Sequence, residues 1–375
     1  MNILVIGNGF DLAHGLPTRY DDFLTFVDEF IKYKVTNECN QRFLDYFKYL
    51  SETNINLYKQ IDKLIEDNRW LNYFLTLREN KALLNKQTWI DFESEISKVI
   101  KTIDEYRNKL IREKVFENEQ KQIDELSFNV LHYILEKKEK IIQIECLLSL
   151  ANIRELKEEL ITDLNRLIRC LEIYLDDYVR KCCFDNLKKI KFIENLEIDK
   201  LLTFNYTNTY EYVYRTSNVN FDYIHGRAIV DHDLNSCNLV LGIDEYLDEN
   251  EKNSNIEFIQ FKKFFQRIYK GTGCLYKDWI KFYTEQKGKT PKIPHELNLY
   301  FIGHSLDVTD KDILKELILF DEANTTIYYH NQEALGRMIA NLVKVIGEDE
   351  LIRRTGGSRA TINFVQQPNC GDKYD

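Results

Sequence analysis

Four short segments set polar residues beside glycine at the ends of apolar runs, which is how a cleft-forming loop is built. In residues 3–17, ILVIGNGFDLAHGLP, an apolar run ends at Gly7. Gly7 and Gly9 can take positive φ and let a diphosphate approach the backbone with no Cβ in the way, with Asn8 and Phe10 in the same turn. Asp11, Gly15 and Pro17 follow, so the third glycine is not where G-x-G-x-x-G would put it, and a plain tight turn would use the same residues. In residues 200–214, KLLTFNYTNTYEYVY, a strand delivers Asn205 to a sheet edge, where its amide can orient a water or a ribose hydroxyl. Asn205 could also just close the turn, with Thr207 or Asn208 capping the next helix.

In residues 221–226, FDYIHG, a histidine at a strand end followed by Gly226 faces a cleft, and its near-neutral pKa suits proton transfer. The alternative is a structural histidine, and His14, His132, His232, His295, His304 and His330 compete for the role of His225. In residues 299–314, LYFIGHSLDVTDKDIL, a strand runs into Gly303, His304 and Ser305, whose amides and hydroxyl could hold a phosphate or ribose. Thr309 or Asp310 could cap the helix after it. Asp307, Asp310 and Asp312 suggest a metal site, as in a nuclease or nucleotidyl hydrolase, yet acids are favoured at a helix start anyway, and no metal is expected.

These loops need a sheet to carry them. Apolar runs of strand type occur at 2–6, 201–204, 221–224, 239–241, 299–302 and 325–329, most followed by Gly, Asn or His. Helical stretches at 21–32, 256–268, 310–320 and 332–345 alternate with them. That alternation predicts an α/β fold with a mainly parallel sheet covered on both faces, and ligands bind such sheets beyond the carboxyl ends of the strands. Between Gly15 and Gly226 there is no glycine, and between Pro17 and Pro291 no proline, so the long interval should be mostly helical. Ile153, Leu156, Leu160, Leu164, Leu167, Leu171, Tyr174 and Tyr178 step by three or four, giving one stripe on a helix of roughly seven turns. A second helix is expected over 116–148. The resulting division is an α/β domain from 1–29 and 199–365, an all-helical insertion over 30–198 serving as lid or homo-oligomer interface, and a tail at 366–375.

Composition narrows the function classes. Of 375 residues, 45 are Tyr or Phe, which requires a packed core. A net charge of -10 argues against a nucleic-acid surface. The eight cysteines show no C-x-x-C pair and read as thiols of a reducing compartment. The opening apolar run is too short for a signal peptide or a membrane span, so a cytoplasmic protein is expected.

Taken in order, the four segments resemble the sirtuin-like NAD-binding fold, a Rossmann-like doubly wound sheet. Gly7-Asn8-Gly9-Phe10-Asp11 and Gly15-Leu16-Pro17 keep the spacing of that family's G-A-G-[IV]-S and G-I-P. Its N-[IV]-D falls on Asn205-Tyr206-Thr207, its H-G on His225-Gly226 and its G-[TS]-S-L on Gly303-His304-Ser305-Leu306. Asp11 stands for the family's Ser and Thr207 for its Asp, the D-F-R after G-I-P becomes Thr18-Arg19-Tyr20, and the four-cysteine zinc module has no counterpart. More closely, the chain resembles the AbiH family of bacterial abortive-infection proteins through IGNGFDLAHGLPT, NYT, HG, GHSL and WIDFESEI at 89–96.

The resemblance implies a role in phage defence, with NAD as substrate and a phage-derived or host protein as trigger. The expected reaction is hydrolysis of the nicotinamide–ribose bond, with Asn205 and His225 catalytic. Gly7, Asn8, Gly9, Phe10, Asp11, Gly15, Pro17, Thr207, Gly226, Gly303, His304 and Ser305 would bind the dinucleotide. The alternative is a non-catalytic sensor of NAD or ADP-ribose, which the changes at Asp11 and Thr207 favour.

Overall fold

A computed structural model describes the chain except residues 84–89, 114–133, 135, 138–139, 142–149, 215–217, 249, 287–295 and 369–375. The chain divides into two compact units. One comprises Met1–Thr18, Val179–Ala228 and Lys270–Asp375; the other comprises Arg19–Tyr178 and Ile229–Tyr269.

The first unit is built on a six-stranded sheet, all parallel, with strands β1 (Asn2–Ile6), β2 (Lys200–Thr203), β3 (Asn220–Tyr223), β4 (Leu297–Ile302), β5 (Ala323–Tyr329) and β6 (Ile362–Gln366). Their spatial order is β3-β2-β1-β4-β5-β6. A strand buried on both faces needs an unbroken apolar run, and β1 has one: Ile3, Leu4 and Val5 are wholly buried. Successive side chains face opposite ways. Ile3 and Val5 join Leu299 and Phe301 in a core with Ile313, Leu314 and Leu317 of the helix Lys311–Ile318 and Leu342 and Val345 of the helix Gln332–Ile346. Leu4 and Ile6 join Leu201 and Ile302 in a second core with Phe10, Ile193, Tyr210 and Val213. Helices thus cover both faces. From β1 the chain winds one way through β2 and β3, then the other way through β4, β5 and β6, so the order reverses at β1, where open parallel sheets bind ligands.

Two strand assignments differ from the sequence reading. Residues 239–241 are buried but form no strand, because the Gln266 amide takes the place of a neighbouring strand: its Oε1 accepts from Leu241 N at 3.1 Å and its Nε2 donates to Leu241 O at 3.0 Å. Strand β6 was not anticipated; only Ile362 in it is buried, as suits an edge strand with one covered face.

The second unit is helical over Tyr20–Thr36, Gln41–Glu52, Ile55–Ile65, Arg69–Leu83, Phe92–Glu113 and Leu150–Ile173, with a π-helix beginning at Tyr174. Every member of the anticipated stripe from Ile153 to Tyr178 is buried. Most of the helix expected at 116–148 lies outside the described residues, and the antiparallel pair Glu136–Lys137 and Lys140–Ile141 stands where helix was expected. In WIDFESEI, Asp91 Oδ1 accepts from the amides of Glu93 and Ser94, and Phe92 stacks on Phe74. That segment is scaffold.

The unit boundaries fall elsewhere than glycine and proline spacing suggests: residues 19–29 and 229–269 belong with the helices, and 179–198 with the sheet. Long-range polar bonds hold 229–269 there. Buried Arg169 donates to the carbonyls of Ile229 and Val230, buried Glu172 accepts from Ile229 N and sits 2.6 Å from His232 Nδ1, and Lys157 pairs with Glu257 at 2.8 Å. None of these leaves a mark in local composition. Among the described residues no helix is long and apolar enough to cross a membrane.

Candidate functional site

The sheet register delivers the four segments to one edge. Ile6 pairs with Thr203 on one side and Ile302 on the other, and Thr203 pairs with Tyr223. Pairing continues one step further, Phe204 N donating to Ile6 O at 2.9 Å and Ile224 N to Thr203 O at 2.9 Å. Asn8, Asn205, His225 and His304 therefore leave four adjacent strands at the same level, across a row of about 15 Å at roughly 4.8 Å per strand.

The glycine turn is shaped by its neighbour rather than by an opening. A Cβ on Gly7 would lie 2.9 Å from His304 Cα, one on Gly9 2.8 Å from Gly303 Cα, and one on Gly303, whose φ is +67°, 2.1 Å from Phe10 N. Gly9 N donates to Gly303 O at 2.8 Å and Phe10 N to Gly7 O at 2.9 Å. These glycines let the β1 and β4 loops touch backbone to backbone, and the amides of Gly9 and Phe10 donate within the protein. The Phe10 ring is wholly buried against Tyr210 and Tyr214. His14 is structural, its Nδ1 2.8 Å from Phe10 O and its Nε2 3.1 Å from Tyr214 Oη, and burial lowers its pKa. Gly15, at φ +79°, ends the short helix Asn8–Ala13, and Leu16 N returns to Asp11 O before Pro17. Asn8 and Ser305 are exposed; Thr18 Oγ1 donates to Asn8 Oδ1 at 2.6 Å.

Beside this turn lies a buried polar cluster. Thr207 Oγ1 donates to Asp11 Oδ2 at 2.5 Å, and Thr209 Oγ1 donates to Thr207 Oγ1 at 3.0 Å. Burial pushes the Asp11 carboxyl up to about 6, opposed by hydrogen bonding from Thr207, Thr209 and Asn205. Asp11 Oδ1 and Asn205 Nδ2 are both buried, an acceptor and a donor in the same cluster. Desolvating either alone is costly.

His225 is 4% exposed, with Nε2 2.9 Å from Asp310 Oδ1, and Gly226 turns the chain away at φ +82°. His304 lies behind it, Nε2 3.8 Å from Asp310 Oδ2. Leu306 N donates to His304 Nδ1 at 2.9 Å, so neutral His304 carries its proton on Nε2. Phe204 meets both rings edge-on, at 5.5 Å from His225 and 4.3 Å from His304. Two of the three anticipated acids take different parts, Asp307 Oδ1 accepting from Thr309 N while Asp310 turns to His225.

Residues 3–330 match the family model for bacteriophage abortive infection AbiH. The chain belongs to the AbiH family. No curated protein and no solved structure shows a significant match. In this AbiH chain the match spans all four site loops and ends just past β5.

Sequence reasoning did not find Asp310 as the partner of His225 or Thr209 as a member of the Asp11 cluster. Asp310 stands 85 residues from His225, in a pattern that reads locally as a helix start. Asp11 and Thr207 were each noticed as departures from the sirtuin motif; that they touch is a fact of the fold. The AbiH helical unit also holds a cavity of about 410 Å³ lined by Arg107, Asn108, Ile111, Glu251 and residues 254–257, which contains none of the four site loops.

Proposed function

We propose that this AbiH protein acts in phage defence by binding NAD and hydrolysing its nicotinamide–ribose bond to nicotinamide and ADP-ribose. This reading takes the first unit as a sirtuin-like, Rossmann-like doubly wound domain. One observation carries it: buried Asn205 and His225 leave adjacent strands at the same level, beyond the carboxyl edge of a parallel sheet and beside the point where its strand order reverses, with the buried Asp11 carboxylate against Asn205. A ribose ring, whose hydroxyls both donate and accept, is complementary to such a pair.

Asn205 orients the nicotinamide ribose and the attacking water. As the glycosidic bond lengthens, positive charge develops on the ribose, and an ionised Asp11 carboxylate in this low-dielectric setting stabilises it. His225 takes the proton from the water or a ribose hydroxyl. The diphosphate is held by the exposed rim of the two tied loops, at Asn8 and Ser305, because the deeper amides of Gly9 and Phe10 are occupied. Protein deacylation is not part of this reading, since hydrolysis needs only NAD and water.

The burial of His225 and Asn205, at 4% and 5% exposure, favours a second reading in which the site binds NAD or ADP-ribose without cleaving it and so acts as a sensor. Incubating purified protein with NAD, with and without phage-infected lysate as a source of trigger, and measuring nicotinamide separates the two. Release in either arm supports hydrolysis; saturable NAD binding with no nicotinamide in both arms supports sensing and overturns the enzyme.

A further inference from the structure

We propose that Asp310 is a positioning residue: it holds His225 as the Nε2–H tautomer and leaves Nδ1 as the ring atom that takes the proton. The proposal rests on the reading of His225 as the acid–base group.

Three observations carry it. Asp310 occupies the N-cap position of the helix Lys311–Ile318, where an aspartate normally accepts from amides of the first turn, yet its side chain makes no capping bond. Capping one step upstream falls to Asp307. Asp310 Oδ1 instead lies 2.9 Å from His225 Nε2, with the Asp310 side chain 11% exposed. Finally, Oδ2 faces His304 Nε2 at 3.8 Å, and the proton of His304 is placed on that nitrogen by the bond from Leu306 N to Nδ1. Leu306 makes that bond from a left-handed conformation, φ +56°, which costs a branched residue strain and marks the loop as held in shape.

Both oxygens of one buried carboxylate are thus directed at imidazole Nε2 atoms. A carboxylate can only accept, so His225 Nε2 donates and the neutral ring is unprotonated at Nδ1. When Nδ1 takes a proton, the imidazolium forms beside a fixed negative charge. The same division of labour between an orienting carboxylate and a working imidazole is found in Ser-His-Asp triads. The titratable groups placed against His225 include Asp310, His304 through Asp310, and the Tyr206 ring 6.5 Å away; the Phe204 ring packs there too.

The test uses the full chain labelled with ¹⁵N-histidine, with long-range proton–nitrogen correlation spectra recorded across pH and the His225 signals assigned by loss in His225→Gln. The expected parent spectrum has Nε2 protonated and Nδ1 unprotonated. In Asp310→Asn the amide can accept from or donate to Nε2, so the ring becomes a mixture of tautomers and its titration midpoint falls by about one unit or more. Asp310→Glu keeps the carboxylate and restores the parent pattern. Nicotinamide release by Asp310→Asn drops about 100-fold or more through kcat, with KM little changed. A parent His225 protonated on Nδ1, or an unchanged tautomer and midpoint in Asp310→Asn, overturns the proposal, and the first of these needs no variant to fold. If the parent releases no nicotinamide, the hydrolase reading fails while the spectra still decide the role of Asp310.

Discussion

The hydroxyl of Thr207 lies 2.5 Å from a carboxylate oxygen of Asp11, joining loops 196 residues apart. Asp11, in place of Ser, and Thr207, in place of Asp, are two of the positions where the chain departs from the sirtuin motif. Their contact ties the loops after β1 and β2 through a buried carboxylate–hydroxyl pair. Under the proposed hydrolysis, this carboxylate is the buried charge that a cationic transition state needs.

The Asp11 carboxyl has a definite pH signature. Its pKa is about 6 when folded, against 3.8 as a reference, so between those values the folded state binds the proton more tightly than the unfolded state. The stabilisation is fully present below pH 3.8 and is lost as pH rises through 6, a change of about 3 kcal/mol at 1.36 kcal/mol per unit. Asp222, raised to about 6 by burial, adds to the same slope. Denaturant unfolding of Asp11→Asn across pH 4–6.5 should show a flatter dependence than the parent; an identical slope would mean that Asp11 titrates normally.

Glycine substitutions should divide by what a Cβ meets. Gly303→Ala places a methyl against Phe10 N at positive φ and should lower stability by on the order of 3 kcal/mol. Gly336, in the middle of the helix Gln332–Ile346, has open space around it, and Gly336→Ala should stabilise by about 0.5–1 kcal/mol. Melting temperatures read both. An unaltered melting temperature for Gly303→Ala would show that the β1 and β4 loops do not press together as described.

Glu172 is buried with Arg169 in the helical unit and also serves His232 and Ile229 N. Glu172→Ala leaves a guanidinium buried without its partner, which should cost about 3–5 kcal/mol. If chemical denaturation finds less than about 1 kcal/mol, water reaches the site and the pair is not holding residues 229–232.

Much of the architecture was legible because burial writes itself into local pattern: NILVI could only be a doubly covered strand, and the stripe from Ile153 to Tyr178 could only be one helix face. What failed to show were substitutions of one kind of partner for another. Leu241 reads as strand, but a glutamine side chain satisfies its backbone; Asp310 reads as a cap, but a histidine 85 residues away claims it. Gly7 and Gly9 read as a positive-φ turn with room for a diphosphate, yet neither takes positive φ, and a Cβ on either would meet another part of the chain. The excluding group is the Gly303–His304 backbone, which sequence spacing alone does not reveal.

The most direct measurement compares nicotinamide release from NAD by the parent, His225→Ala and Asn205→Ala under the condition in which the parent is active, with circular dichroism confirming that each is folded. Removing a positioned acid–base group or its water-orienting amide should cost about 10²–10⁴-fold in rate. Folded variants that consume NAD at the parent rate would contradict the assignment of the reaction to this site.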